Sequence, residues 1–210
     1  MNDVQKLETI YFGGGTPSLL TINQIKKICD VIFSHTSKTF LKEFTFELNP
    51  DDVTQELLDT LFKCNVTRIS CGIQSVSEKV LSFANRRSSR TQVFNAIDLL
   101  KKNWKGDLSL DLISGLPYET PSSFNEALDT VINSGASHIS LYSLTLEENT
   151  PWGKLFSEGK LEYDEDKASD MWLYGRDVLE NAGYSQYEVS NFCKNGKIGK
   201  HNSKYWNHKS

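Results

Sequence analysis

Short apolar or β-branched runs recur along the chain at Leu7 to Phe12, Phe44 to Leu48, Val66 to Ile73, Leu108 to Ile113 and His138 to Leu144, with amphipathic segments between them. Runs of this length read as strands, and strands alternating with helical stretches are the mark of βαβ units in a parallel sheet. The intervening segments carry helix start signals. Thr21 has Gln24 three residues on, Thr54 precedes Glu56, Leu57 and Leu58, Thr91 precedes Val93, and Thr120 is followed by Pro121 at a first-turn position. Each offers the side-chain acceptor or the preset φ that a helix N-terminus favours, so helices are predicted after the first four strands. Beyond the fifth strand, Pro151 opens a brief helix ending near Gly159. Asp164 begins a longer one, with Trp172, Leu173, Val178 and Leu179 on its apolar face and Gly183 at its end. Tyr184 to Val189 reads as a last strand. The stretch Asn191 to Ser210 has the composition of a disordered tail, but Phe192, Tyr205 and Trp206 argue against a simple linker.

Composition narrows the class. With 210 residues, 38% of them hydrophobic, and a net charge of −4, the chain suits one or at most two soluble domains. Arg86, Arg87 and Arg90 make too short a basic patch for a nucleic-acid face. No apolar stretch approaches the ~18 residues of a membrane span, and Met1 to Lys6 has no signal-peptide apolar region, so a cytoplasmic location is expected. Cys29, Cys64, Cys71 and Cys193 are widely scattered, which argues against both a disulfide scaffold and a closely spaced metal motif. They are expected to be buried thiols.

The candidate chemistry gathers at the carboxyl ends of the predicted strands, where parallel α/β folds place their ligands. Gly13, Gly14, Gly15, Thr16 and Pro17 follow the first strand, presenting a backbone without Cβ atoms. The second strand ends in Glu47 before Asn49-Pro50, and the third runs into Gly72-Ile73-Gln74-Ser75. The fourth contains Asp111 and then Gly115-Leu116-Pro117, and the fifth leads to Ser143 and Thr145. A carboxylate inside an otherwise apolar strand needs hydrogen-bond donors, which ligand hydroxyls, neighbouring backbone, Arg68 or Arg86 could supply. The set suits a polar organic ligand with vicinal hydroxyls and an α-amino-acid end: Glu47, Asp111 and Gln74 for hydroxyls, glycine carbonyls for an ammonium, Arg86 for a carboxylate. Phosphate binding is disfavoured, because no Gly-Lys-Ser/Thr and no Gly-x-Gly-x-x-Gly spacing is present.

Five motifs, Phe12-Gly-Gly-Gly-Thr-Pro-Ser18, Glu47-Leu-Asn-Pro50, Arg68-Ile-Ser-Cys-Gly-Ile-Gln-Ser75, Asn85-Arg86 and Asp111-Leu-Ile-Ser-Gly-Leu-Pro117, stand in the order and spacing of a known family. The chain resembles the radical S-adenosylmethionine (SAM) proteins related to oxygen-independent coproporphyrinogen III oxidase. Tyr187-Glu-Val-Ser-Asn-Phe192 and His201-Asn-Ser-Lys-Tyr-Trp206 are similar to the haem chaperone branch. The resemblance implies an α/β fold, a partial parallel (β/α)6-type barrel lacking the first βα unit, with residues 1–160 as the partial barrel and 161–210 as a C-terminal helix, strand and polar tail. It implies SAM and haem as ligands, with Gly14, Gly15 and Thr16 at the amino-acid portion of SAM. Glu47, Gln74, Arg86 and Asp111 complete the cofactor shell, and Thr145 takes a further contact position. His201 is the candidate haem ligand, with Tyr205 and Trp206 available to pack on a macrocycle. Haem or a porphyrin, and a haem-acceptor protein, are the implied partners.

Family members hold a four-iron, four-sulfur cluster through Cys-x-x-x-Cys-x-x-Cys after the first barrel strand. This chain has no such motif, and Cys64 with Cys71 cannot replace it. The expectation is therefore a chain incomplete at both ends. Three functions stay open at this point: a haem chaperone-like protein, a coproporphyrinogen III oxidase-type radical enzyme, and an inactive partial barrel.

Overall fold

In the computed structural model, which describes residues 6–206, five parallel strands sort their side chains onto two unlike faces. These are β1 (Thr9–Phe12), β2 (Glu43–Leu48), β3 (Arg68–Gln74), β4 (Asp107–Ser114) and β5 (His138–Ser143). Because successive strand residues point to opposite faces, Ile10, Phe44, Phe46, Ile69, Cys71, Leu110, Leu112, Ile139 and Leu141 fall on one side, where all are buried. Tyr11, Glu47, Arg68, Ser70, Asp111, Ser140 and Tyr142 fall on the other and line cavities.

The strands lie in the order β1-β2-β3-β4-β5. Since each neighbour follows in sequence and right-handed crossovers all advance the same way, the connecting helices collect on one face. They are α1 (Ile22–His35), α2 (Gln55–Lys63), α3 (Glu78–Phe83), α4 (Arg90–Asn103) and α5 (Pro121–Asn133). After β5 come α6 (Pro151–Ser157) and α7 (Glu165–Asn181), and α7 packs on β4 and β5. The core lies between this layer and the apolar sheet face, where Ile25, Leu58, Leu61, Val93, Leu100, Phe124, Leu128 and Leu179 meet the strand residues.

The local signals behave as the chemistry requires. Thr21 and Gln24 form a reciprocal capping box at α1, Thr54 accepts from Leu57 N, Thr120 caps α5 with Pro121 in its first turn, and Asp164 accepts from Lys167 N. Four expectations need correction. The cap of α4 is Ser89, boxed with Gln92, rather than Thr91, because Ser89 has the extended backbone of a cap while Thr91 lies inside the helix. The segment after β3 holds a second, shorter helix, α3, that periodicity does not separate from α4. The last strand is not Tyr184 to Val189. Chain reversal splits it into β6 (Ser185–Gln186) and β7 (Asn191–Cys193), and β7 joins β5 antiparallel. The polar stretch from Asn191 is ordered as β7 and α8 (Lys200–Trp206), with α8 set against β1. Met1 to Gln5 and Asn207 to Ser210 lie outside the described residues.

All four cysteines are free and buried. Burial with Cys64 alongside pushes the Cys29 thiol up to about 12, and burial raises Cys71 and Cys193 as well. Among the described residues, no helix is long and apolar enough to cross a membrane.

Candidate functional site

Two cavities lie side by side on the polar sheet face. The first, of ≈310 Å³, sits at the carboxyl ends of the strands and is lined by Gly15, Thr16, Asn49, Gly72, Gln74 and Arg86. The second, of ≈280 Å³, lies deeper, between the sheet and the segment Tyr187 to Tyr205. Glu47, Ser70, Asp111 and Tyr142 line both.

The glycine loop is built for close approach. Gly14 and Gly15 have φ of 76° and 59°, conformations that side-chain-bearing residues adopt at a cost. At Gly13 a Cβ would run into the ring of Tyr11 and the Glu47 carboxylate, so this position cannot widen. Gly14 N–H donates to Glu47 Oε2 at 3.1 Å, and Tyr11 O–H donates to Glu47 Oε1 at 2.6 Å. Glu47 thus ties the loop to β2. Burial and the adjacent Glu47 push the Tyr11 phenol well above its usual range.

Gln74 carries the most informative geometry. Register slips between Gly72 and Gln74 at the end of β3, and Ser75 N–H donates to Ile73 carbonyl at 2.8 Å across a three-residue turn centred on Gln74, whose φ is 65°. A non-glycine residue at the centre of such a turn stores strain, of the kind that collects at ligand sites. Gln74 lines the cleft, and its Oε1 is buried beside it without a hydrogen-bond partner. Such an orphan acceptor costs about 1–3 kcal/mol unless a ligand donor meets it.

Arg86 reaches the same cleft from the turn after α3. Its Nη2 donates to Asn49 Oδ1 at 2.8 Å and Gly72 carbonyl at 3.2 Å, and no carboxylate pairs with it among the described residues. The neighbouring Arg87 bridges Asp51 and Asp52 at 2.6 Å each, which fixes this turn against the one after β2. The Arg86 fork is therefore held in place with its charge uncommitted.

Ligand hydroxyls, neighbouring backbone, Arg68 or Arg86 are the expected donors for Asp111 and Glu47, and protein groups already serve both. Ser70 and Ser109 donate to Asp111 at 2.8 and 3.0 Å, and Tyr11 and Gly14 serve Glu47. Burial raises the Asp111 pKa, and the serine hydroxyls and Arg68 pull it back. Asp111 and Glu47 both line the two cavities.

Of the residues singled out from sequence, Gly15, Thr16, Glu47, Gln74, Arg86 and Asp111 line one cleft, with Gly14 bonded to Glu47 beside them. Thr145 stands apart: it is exposed past the end of β5 and lines neither cavity. His201 lies at the deeper cavity. Its Nδ1 is 2.9 Å from Thr9 Oγ1, and its ring lies against Tyr11 and Tyr205. Tyr11, Ser70, Asn49 and Tyr142 line the two cavities although sequence reasoning does not single them out; strand alternation, which puts Tyr11 and Tyr142 on the face of Glu47 and Asp111, is the usable signal.

The donor set fits SAM: a Cβ-free loop, an orphan amide oxygen, an uncommitted guanidinium and two carboxylates. It does not fit an iron–sulfur cluster. Among the described residues no group of His, Cys, Asp or Glu could hold a metal ion.

Comparison with known proteins agrees with this chemistry. The model of the radical SAM superfamily matches residues 2–131. The haem chaperone HemW of Lactococcus lactis is 37% identical over 205 residues, covering 97% of this chain and 54% of that protein. HemW of Bacillus subtilis is 35% identical, with 95% and 53% covered. Mouse radical S-adenosyl methionine domain-containing protein 1, mitochondrial, is 33% identical, with 98% and 47% covered. The solved coproporphyrinogen III oxidase (HemN) from Escherichia coli, a radical SAM enzyme, shares the fold with a TM-score of 0.78 at 20% identity, over 96% of this chain and 46% of that one. The chain spans about half the length of the curated relatives it matches. With its parallel sheet, its glycine loop and a family match over residues 2–131, the chain belongs to the radical SAM superfamily.

Proposed function

We propose that the cleft at the strand ends binds SAM and that the chain is the SAM-cradling part of a haem chaperone-like protein, which binds haem and passes it to an acceptor. The observation that carries the reading is the buried, unpartnered Oε1 of Gln74, a cleft-lining residue held by a strained turn. When bound, SAM supplies an ammonium, a carboxylate and ribose hydroxyls. Backbone groups of Gly14, Gly15 and Thr16 meet its amino-acid end, Arg86 takes the carboxylate, and Gln74, Glu47 and Asp111 accept from its donors. No radical step is derived, since the cysteines that would hold a cluster are not in the chain.

Haem belongs to the same proposal through similarity to the HemW proteins. Nδ1 of His201 is 2.9 Å from Thr9 Oγ1, and the tautomer in which Nδ1 donates across that contact leaves a lone pair on Nε2, the form that ligates iron. The cavity beside it, ≈280 Å³, is at the bottom of the range for small-ligand sites, about 300–1,000 Å³, and does not accommodate a macrocycle. Haem ligation by His201 therefore requires α8 to leave the sheet, exposing His201 together with Tyr205 and Trp206.

Calorimetric titration with SAM tests the cleft. Wild type is expected to bind one equivalent. Arg86→Ala should weaken binding about 10- to 100-fold and Gln74→Leu about 2- to 10-fold, without loss of fold. Wild-type affinity in both variants would remove the assignment.

A further inference from the structure

The deeper cavity contains a second unmet demand. Arg68, at the start of β3, is 6% exposed, yet its guanidinium makes no hydrogen bond and no ion pair among the described residues. It lines the ≈280 Å³ cavity, close to the backbone of Gly199, where an added Cβ would sit 3.8 Å from its Cζ. Among the described residues no buried Arg68 nitrogen lacks a partner, so the guanidinium reaches the open space of the cavity, where it offers five N–H donors in a rigid fork.

The carboxylates that share the cavity spend their hydrogen bonds elsewhere, Asp111 feeling the Arg68 charge only through space. Glu43 accepts from Lys200 N–H and His201 N–H at 2.7 and 2.9 Å and from Thr45. Glu47 holds Tyr11 and Gly14, and Asp111 holds Ser70 and Ser109. Near Arg68 the polar side chains are also spoken for: His138 bridges Ser109 at 2.8 Å and Tyr187 O–H at 2.9 Å, and Tyr187 oxygen also accepts from Gly199 N–H at 3.0 Å. The remaining protein groups thus leave the Arg68 fork open toward the cavity.

We infer that the cavity between the sheet and the segment Tyr187 to Tyr205 is a binding subsite for a small monocarboxylate, held bidentately by Arg68. The fork matches carboxylate geometry. Phosphate has the same geometric match, but Glu43, Glu47 and Asp111 on the walls repel a dianion more than a single charge. The volume holds an acid of a few carbons, or the carboxylate arm of a larger ligand reaching past Asp111 from the outer cleft. This subsite does not depend on what occupies that cleft.

The test uses the 210-residue chain in chloride buffer at matched ionic strength, with butyrate, butyramide and phosphate as probes read by calorimetry and thermal unfolding. Butyrate should bind saturably at one per chain and raise Tm, while butyramide should do neither. Arg68→Gln should weaken butyrate binding about tenfold or more, with Arg68→Lys in between, and Arg176→Gln, on α7 and lining neither cavity, should leave it unchanged. In wild type, the Arg68 Nε resonance should shift with the butyrate midpoint, a readout that needs no variant to fold. Absence of saturable butyrate binding, equal binding of butyramide, preference for phosphate, a silent Arg68 resonance, or loss of butyrate binding in Arg176→Gln would each overturn the inference.

Discussion

Glu119 is a residue whose environment sets a measurable property of the whole chain. It is 5% exposed after β4, accepting from Gly115 N–H at 3.1 Å and from Ser75 Oγ at 3.5 Å, so it ties the turn after β4 to the one after β3. Burial outweighs these bonds and pushes its pKa from 4.5 up to about 8. Because the folded state holds the proton more tightly than the unfolded one, this group favours the fold at pH below 4.5, and that contribution declines as pH rises to about 8. The amount is on the order of a few kcal/mol. Glu119→Gln removes the titration, so between pH 5 and pH 8 its unfolding midpoint in urea should fall less than that of wild type. Parallel pH profiles would show that Glu119 is ionised in the fold. At the same scale, the residue types at the strand ends are legible in the sequence, but the strain at Gln74 is not. Nothing in Gly-Ile-Gln-Ser announces a positive φ at glutamine; the slip between β3 and β4 creates it.

Among the elements, α8 is held by distant partners, Thr9, Tyr11 and above all Glu43. Glu43 at the start of β2 accepts from the backbone N–H groups of Lys200 and His201, supplying the cap that α8 lacks in its own sequence. Composition makes this tail look unstructured because its partner lies 157 residues away. Glu43→Ala should cost about 1–2 kcal/mol of local stability and release α8, increasing cleavage after Lys200 and Lys204 under limited proteolysis. If haem ligation needs α8 to swing out, the same variant should bind haem more tightly than wild type, and adding His201→Ala should abolish the gain. Tighter binding that persists without His201 would place the iron on another ligand. Caps within a segment, such as Thr21 with Gln24, are readable because both partners lie within one turn. The split of Tyr184 to Val189 is hidden because β6 and β7 are defined by pairing with each other and with β5, not by local pattern.

For the whole molecule, one rule explains most of what is legible in the chain. Sequential parallel strands put the helices that connect them on one side, which leaves the other face free for polar side chains, and period-two alternation then selects them. Glu47, Gln74 and Asp111 stand out at the strand ends on sequence alone. Arg68 does so only as a counterion for those carboxylates, and it serves neither within bonding distance. The two adjoining cavities give the polar face a strand-end cleft suited to SAM and a second cavity flanked by α8, with Glu47, Ser70, Asp111 and Tyr142 as the shared wall.

SAM binding in the strand-end cleft, the central claim, is tested most directly by titrating the nitrogen-15-labelled chain with SAM and mapping the shifted resonances. The backbone amides of Gly14, Gly15 and Thr16, the Gln74 side-chain amide and the Arg86 Nε should move together with one midpoint, while the exposed Thr145 should not. Shifts confined to other surfaces, or a Gln74 side chain that does not respond at saturation, would contradict it.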